Sequence, residues 1–459
     1  MKGNRIRIEP FNMLNLLSYH GVKEENEHGS VTLSGIIEAK KTEEYLALLR
    51  QNTGVTITVS EEQESCIIFQ GIITGASIEQ EGASSILSLE LKTGTYMMEN
   101  KRHIRSYQEE SLTYKSIIKD ILINYEQSNM IMTATDQKCG FMLQYEESDW
   151  SFLKRAASCM NTVIITDSVT GGVRFFCGVP KRNIAGKINT KTYQMRKSLK
   201  EYAIKKNSGL SDFMEEEACY YILKLREIYD LGDEILLNGV SMNICKVISD
   251  MEGAELYHTY YLKRATGFRV AKTYNQNVTG VSLMGQVTAV QGTRVKIKLR
   301  EDENIAGSGE RWFDFSTPYS SMGGAGFYCM PEKGDDIRLY FPTQDESAAY
   351  VISSVNKEER KDPSIKSIMN RDGKQVILAP SYIKLTNNAG MTLELNDQSG
   401  VKVESNGSVT IKASGNLDIT SKSAGVTLSA QNKVLLKQGD TVLNLAGDIS
   451  LQGAKVNLN

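Results

Sequence analysis

The chain has 459 residues, of which 41% are apolar and 24% are charged, and its formal net charge at pH 7 is −2. This length supplies three or four domains with ordinary cores. The near balance of charge excludes a strong general attraction to nucleic acid or to an anionic membrane. Seven scattered cysteines without a C-x-x-C pair indicate reduced, buried thiols rather than a disulfide framework.

The N-terminal residues alternate polar and apolar side chains as a strand does, and no apolar run has the length of a signal peptide or a membrane span. We therefore expect synthesis in the cytoplasm without a cleaved signal. Short apolar runs separated by glycines occur along most of the chain, so the predicted fold class is mainly β.

Residues 1–95 predict a small β-barrel, because four strand-like runs surround one helix over Thr42–Arg50. Residues 186–275 return to the same strand-rich pattern and predict a second barrel that matches the first.

Residues 96–185 predict an inserted α+β subdomain with two helices, Leu112–Tyr125 and Asp149–Met160. Each helix gathers its apolar side chains on one face. Ser111 is expected to cap the first helix, and Ser148 or Asp149 the second.

Residues 276–358 predict a five-stranded barrel of the oligonucleotide/oligosaccharide-binding (OB) type, which begins with a hairpin of two alternating strands, Gly285–Val290 and Arg294–Leu299. The basic groove with exposed aromatics that binds nucleic acid in such folds is not evident, so no nucleic acid partner is expected. Residues 359–369 form a short linker.

Residues 370–459 carry pairs of apolar residues, two positions apart, that return about every eight residues. Eight residues hold one strand and one turn, so one chain cannot enclose a core with them, whereas three chains wound around a shared axis can. We predict an intertwined trimeric β-helix, a needle, although an adhesin stalk or a trimerisation tag would show the same repeat. Its predicted core residues are Val401, Val403, Val409, Ile411, Leu417, Ile419, Val426, Leu428, Val434, Leu436, Leu443, Leu445, Ile449 and Leu451.

Catalytic and metal-binding patterns are absent from the sequence: there is no G-x-S-x-G, H-E-x-x-H, Walker loop, EF-hand loop or G-x-G-x-x-G after a strand. The four histidines are isolated from one another, and adjacent carboxylates point to opposite faces of a strand or into solvent. We expect no enzyme activity, no catalytic or metal-ligating residues and no cofactor. The alternative is a β-helical tailspike-type protein that binds or cleaves glycans, for which aromatic grooves and acid pairs on the rod would be required.

Two segments resemble motifs of one family. The first resembles the Q-Y-x-E-S-D-x-x-F-L-x-R segment of the hub in VgrG-like proteins, which are the hub-spike proteins of contractile injection machines. The matching residues are Gln144, Tyr145, Ser148, Asp149, Phe152, Leu153 and Arg155. The barrel series with Gly285, Val287, Pro331, Gly334 and Asp335 resembles the spike-barrel signature of a G-x-V strand and a P-E-x-G-D turn. The domain order agrees with both.

This resemblance implies a homotrimeric hub and membrane-piercing spike that joins the tube and baseplate to a puncturing tip. The partners implied are an inner tube or tube-initiator protein, baseplate proteins and a separate PAAR-like tip on the blunt apex of Val456, Asn457, Leu458 and Asn459; effector cargo is left open. It implies a bacterial cytoplasmic origin and assembly at the baseplate of a particle that acts on a target envelope. The parent machine is left open among a type VI secretion system, an extracellular injection particle, a tailocin (a bacteriocin) and a contractile phage tail.

Overall fold

A computed structural model describes residues 5–13, 15–61, 64–82, 84–304, 309–352, 359 and 361–445. The chain divides into two compact units, Met1–Asn356 and Lys357–Asn459. Strands predominate in both units, so the prediction of a mainly β fold is confirmed.

The first unit begins with strands that pair antiparallel in the order β1-β4-β5-β6-β3-β2. Burial alternates along β3 and β6, so Leu33 and Leu89 lie in one apolar core, which also contains Tyr45 of helix α1. The elements are β1 Arg5–Glu9, β2 Asn15–Glu24, β3 Ser30–Ile37, α1 Thr42–Leu48, β4 Gly54–Glu61, β5 Glu64–Glu81 and β6 Ser84–Lys92.

The next segment contains the two predicted long helices. They pack with aromatic and aliphatic neighbours into a second core that includes Ile117, Trp150 and Phe152. The elements are β7 Arg102–Tyr107, α2 Tyr114–Leu122, β8 Asn129–Met132, β9 Met142–Ser148, α3 Asp149–Cys159, β10 Ile164–Thr166 and β11 Arg174–Cys177.

One of the two helix caps differs from its prediction. Ser148 caps α3, since its hydroxyl accepts a hydrogen bond from the Ser151 amide at 3.1 Å. Ser111 does not cap α2, and that prediction is wrong: Thr113 is the N-cap, and its hydroxyl accepts from the Ser116 amide at 3.3 Å. The Ser116 hydroxyl in turn accepts a hydrogen bond from the Thr113 backbone amide at 3.0 Å, so the two residues form a reciprocal capping box.

A third group of strands extends the first sheet. It contains β12 Gly186–Ile188, β13 Gln194–Lys197, α4 Leu199–Asn207, β14 Cys219–Leu225, β15 Glu234–Leu237, β16 Val240–Glu252 and β17 Glu255–Lys263. Strand β16 pairs with β2, Val247 opposite Lys23, so twelve strands form one hydrogen-bonded sheet. The division of this sheet into two separate barrels stays a prediction.

Five strands close the first unit in the order β20-β19-β18-β21-β22. A parallel bridge from Phe315 to Val351 joins the two ends of this set, and Val295, Ile297 and Leu339 lie in its core. The strands are β18 Ser282–Gln291, β19 Arg294–Leu299, β20 Trp312–Asp314, β21 Asp336–Tyr340 and β22 Tyr350–Ile352, which confirms the five strands predicted here.

The second unit contains an antiparallel meander and, further along the chain, a hairpin. The meander consists of β23 Lys366–Met369, β24 Gln375–Ala379, β25 Tyr382–Thr386, β26 Met391–Asn396 and β27 Gly400–Ser405, and the hairpin of β28 Val434–Gln438 and β29 Thr441–Leu445. Residues 406–433 are described and form no strand in the single chain.

A buried histidine lies where β16 and β17 pair. His258 is almost fully buried, its Nδ1 lies 2.7 Å from the Ser249 hydroxyl, and its Nε2 has no hydrogen-bond partner among the described atoms. Burial, assisted by the charge of Lys23, lowers the pKa of His258 to about 4. The folded protein therefore resists protonation that the unfolded chain accepts near pH 6.5.

We expect this histidine to make the protein less stable in mild acid. Its folded pKa is below the unfolded value, so the free energy of unfolding should fall as the pH falls from about 6.5 toward 4, by up to about 3 kcal/mol. The variant His258→Asn should lose this dependence, which urea titrations at several pH values measure. Between pH 8 and 9, where imidazole does not titrate, the two proteins should show parallel slopes. Equal slopes in acid as well would contradict the assignment.

Candidate functional site

The hub segment predicted from the sequence lies at the turn from β9 into α3, and most of its side chains are buried. Gln144, Asp149, Phe152, Leu153 and Arg155 are each at most 4% exposed. Ser148 is buried and Tyr145 is half-buried. The segment therefore forms an internal junction, and its polar members belong to two charged clusters.

The first cluster surrounds the carboxylate of Asp149. One carboxylate oxygen accepts hydrogen bonds from the Arg105 guanidinium at 2.7 Å and from the side-chain amide of Gln144 at 2.8 Å. The other oxygen accepts a hydrogen bond from the Tyr125 hydroxyl at 2.7 Å. Burial, together with the hydrogen bond to Asp149, raises the pKa of Tyr125, which keeps its hydroxyl protonated as a donor. Three hydrogen bonds from neighbouring side chains thus hold this carboxylate in place.

The second cluster surrounds Arg155, which is 4% exposed. Its guanidinium lies 2.9 Å from a carboxylate oxygen of Glu147 and 2.5 Å from one of Glu346, and it donates to the Leu143 carbonyl at 2.8 Å. Burial raises the pKa of Glu147, although Arg155 opposes this shift. One arginine therefore holds two buried carboxylates, one of which comes from the turn before β22.

Further polar contacts attach β7 to the segment that follows β19. The Ser106 amide donates to Asp302 at 2.9 Å, and the Glu303 amide donates to the Ile104 carbonyl at 2.9 Å. His103 also places its Nδ1 2.7 Å from the Glu303 carboxylate.

An aromatic contact continues the same junction. The Phe141 and Phe313 rings meet edge to face with centroids 5.1 Å apart, and Phe141 lies in the core of the five-stranded set. The helical segment and the five-stranded set are thus joined by both ionic and apolar contacts.

Sequence reasoning found only half of this junction. His103, Arg105, Asp302 and Glu346 were not selected, because they lie up to 200 residues from their partners and no local pattern marks them. One signal could have indicated such partners: the segment before and within α3 is rich in polar residues and also predicts a buried helix face. A buried ion requires a partner, so a distant partner could have been expected.

The predicted barrel signature lies in the middle of β18 and in the turn before β21. Gly285 is buried, and a Cβ atom there would lie 3.1 Å from Ile337. The Gly334 amide donates to the Val287 carbonyl at 2.8 Å, the Val287 amide donates to the Asp335 carbonyl at 2.9 Å, and Gly334 has a φ of +97°. Pro331 precedes this turn and is half-buried. These contacts give the signature a role in forming the turn.

The second unit carries an apolar face on its meander. Cross-strand pairing aligns Val376, Leu385, Leu393 and Val403 in one row, and a parallel row runs from Leu378 through Ile383 and Leu395 to Val401. Most of these side chains are between 36% and 70% exposed in the single chain. The opposite face is polar and includes an ion pair between Lys384 and Glu394 at 3.7 Å.

The predicted needle core extends this exposed apolar character. Ten of its side chains are 44–70% exposed: Val401, Val403, Val409, Ile411, Leu417, Ile419, Val426, Leu428, Leu436 and Leu443. Val434 and Leu445 are half-buried. Ile449, Leu451 and the predicted apex Val456, Asn457, Leu458 and Asn459 lie outside the described residues. The meander residues before Val401 share the same two-apart spacing, which could have identified them.

Several other features bear on chemistry. Within the described ranges, no group of three or more His, Cys, Asp or Glu side chains could hold a metal ion. All seven cysteines are free, and the expectation that they are buried is wrong for Cys66 and Cys329, which are exposed. None of the described helices is long and apolar enough to cross a membrane.

Comparison with solved structures places this architecture. One match is the c3393 protein of E. coli, a component of the type VI secretion system that is described as structurally similar to the T4 bacteriophage tail proteins gp27 and gp5. The TM-score is 0.53 and the sequence identity is 14%, over 76% of this chain and 99% of that one. A chain of the Francisella PdpA–VgrG complex in its half-lidded form matches with a TM-score of 0.56 and 10% identity, over 87% of both chains. The lidless form matches with the same TM-score over 88% of this chain.

Comparisons at the level of sequence are less informative. The family model of the Alg8 N-terminal domain matches residues 50–173, which are less than a third of the chain. The matched range begins between α1 and β4. No curated protein matches the chain.

The chain therefore has the fold of this type VI secretion component and of the matched chain of the PdpA–VgrG complex. More specifically, both matches extend over most of its length, in agreement with the resemblance of its motifs to VgrG-like proteins.

Proposed function

We propose that this protein is the structural hub and membrane-piercing spike of a contractile injection machine, and that it acts as a homotrimer without enzyme activity. The observation that carries the proposal is the apolar face of the meander, which continues into the exposed repeats after Val403. A single chain leaves this face exposed to water, and a contiguous apolar face of two rows of four side chains indicates an interaction site. Three copies would bury it around a common axis and would cover the strand edges.

The junction between the helical segment and the five-stranded set supports a mechanical role. A piercing device must transmit force along its length, and the buried contacts of Arg155 with Glu346 and of Ser106 with Asp302 resist separation of the two parts that they join. The proposed domains are barrels at 1–95 and 186–275, the subdomain at 96–185, the OB-type barrel at 276–358, the linker at 359–369 and the trimeric β-helix at 370–459.

The proposed partners follow from the same role. The hub would bind an inner tube or tube-initiator protein and baseplate proteins. The predicted apex, Val456–Asn459, would bind a separate PAAR-like tip, as the resemblance to VgrG-like proteins implies. We propose bacterial synthesis in the cytoplasm followed by assembly at the baseplate.

The solution mass of the purified chain tests this function. Light scattering should give about three times the chain mass of 51.1 kDa, and the double variant Val403→Asp, Ile411→Asp should shift it to the monomer, because carboxylates cannot enter an apolar axis unpaired. The matched control Lys402→Asp, Thr410→Asp changes the adjacent residues, whose side chains alternate outward, and should remain trimeric. A monomeric wild-type chain would overturn the proposal.

A further inference from the structure

The loop between β20 and β21 is an unusual surface feature. Every residue from Phe315 to Pro331 is uncharged, in a chain of which 24% is charged. Tyr319, Phe327 and Tyr328 are each more than half exposed, and Met322 is fully exposed. We refer to residues 316–330 as the apolar loop.

The conformation of this loop is defined by its own hydrogen bonds. A bridge pairs Ser320 with Gly326, the Phe327 amide donates to the Tyr319 carbonyl at 2.9 Å, and the Tyr328 hydroxyl donates to the Gly292 carbonyl at 3.0 Å. Gly326 has a φ of +142°, and a Cβ atom there would lie 2.3 Å from the Tyr319 carbonyl oxygen. A loop held in one shape loses little entropy when it binds.

The base of the loop lies beside the point where the chain leaves the first unit. The Ser316 amide donates to the Val351 carbonyl at 2.7 Å, and Phe315 bridges to the same residue. Strand β22 ends at Ile352 and the next strand begins at Lys366; the 13 residues between them bridge at most about 50 Å. If three chains associate through their C-terminal repeats, three loops are held near one another at an effective concentration on the order of millimolar.

We infer that the apolar loop packs against a neighbouring copy of this chain, and so forms a second contact between copies in addition to the one through the C-terminal repeats. The inference rests on the proposed trimer. The absence of charge fits an apolar partner surface rather than an ionic one, and the tether supplies a second copy at high local concentration. Packing would remove Met322, Phe327 and Tyr328 from water, which the single chain cannot do.

The two exposed cysteines allow a direct test on the full-length protein. Cys329 lies in the apolar loop and Cys66 lies in β5, far along the chain from it. In the trimer, we expect a maleimide reagent to modify Cys329 at least about tenfold more slowly than Cys66, since thiol reactivity requires access. Peptide mapping of the modified protein measures both rates in the same sample.

Three variants complete this test. Met322→Asp should leave the trimer mass unchanged and raise the Cys329 rate to that of Cys66, whereas Ile123→Asp, at an 81% exposed position elsewhere, should leave Cys329 slow. The monomeric variant Val403→Asp, Ile411→Asp should also expose Cys329. Rapid modification of Cys329 in a wild-type trimer would overturn this inference alone, and so would slow modification in the monomeric variant. A monomeric wild-type mass would instead overturn the proposed function.

Discussion

Replacement of Arg155 by Met should destabilise the protein by about 3–5 kcal/mol, because it leaves two buried carboxylates without their cation. The guanidinium contacts Glu147 and Glu346 and also donates to the Leu143 carbonyl. Methionine retains much of the apolar volume that packs near the Phe152 ring, 5.0 Å from the guanidinium carbon, so the loss reports mainly the missing charge. Urea unfolding followed by tryptophan fluorescence measures it, since Trp150 lies in the adjacent core.

Arg226→Met is the matched control for this experiment. Arg226 pairs with Glu255 on the surface, where its side chain is 53% exposed, and exposed ion pairs contribute at most about 1 kcal/mol. A loss at Arg155 that is no larger than the loss at Arg226 would show that the cluster does not stabilise the junction. A loss confined to Arg155 would agree with its place between the helical segment and the five-stranded set.

Replacement of Lys263 by Met should cost a similar free energy of unfolding, about 3–5 kcal/mol. Lys263 is fully buried, its Nζ lies 2.6 Å from a Glu25 oxygen, and the Phe268 ring lies 4.5 Å away. The second Glu25 oxygen has no hydrogen-bond partner among the described atoms. Without the lysine, this carboxylate must either remain buried and unpaired or take up a proton.

The pH dependence of the Lys263 variant carries a definite sign. Burial raises the pKa of Glu25 even when the lysine opposes the shift, so its folded pKa in Lys263→Met lies further above the unfolded value. A carboxyl group with a raised folded pKa destabilises the fold as the pH rises through that range. The deficit relative to wild type should therefore be small near pH 4 and increase toward pH 7.

Two companion variants separate the charge from the packing at this site. Lys263→Met combined with Glu25→Gln should recover part of the stability, because neither buried charge remains. Lys246→Met breaks a neighbouring, partly exposed pair in which Nζ lies 2.7 Å from Glu24, and it should cost less than about 1 kcal/mol. Equal losses for Lys246→Met and Lys263→Met would contradict the role of burial.

Local sequence patterns predict the features that depend on neighbouring residues. Strand runs such as those of β3 and β6 alternate apolar and polar side chains, and α2 and α3 repeat apolar residues on one face, so local periodicity predicts them. The cap at Ser148 follows from its position directly before the helix. The C-terminal repeat also belongs to this group, because its spacing is visible in the sequence and predicts that one chain cannot enclose its apolar residues.

Features that depend on distant residues are visible only in the folded chain. Helix α4 was not predicted, since it buries Lys205 and leaves Leu199 and Ile204 exposed, the reverse of an amphipathic pattern. The buried lysine is tolerated because its Nζ donates to the Gly267 carbonyl at 2.9 Å and pairs with Glu201 at 2.7 Å.

Long-range pairing likewise lies beyond any local pattern. The sequence does not show that β16 continues the first sheet through β2, or that Arg155 reaches Glu346 across 191 residues. A buried ion must be paired, but periodicity and propensity describe only a few neighbouring residues and carry no information about which distant carboxylate pairs with it. The strands, the repeat and the fold class were therefore accessible from the sequence, while the junction that joins them was decided by the tertiary fold.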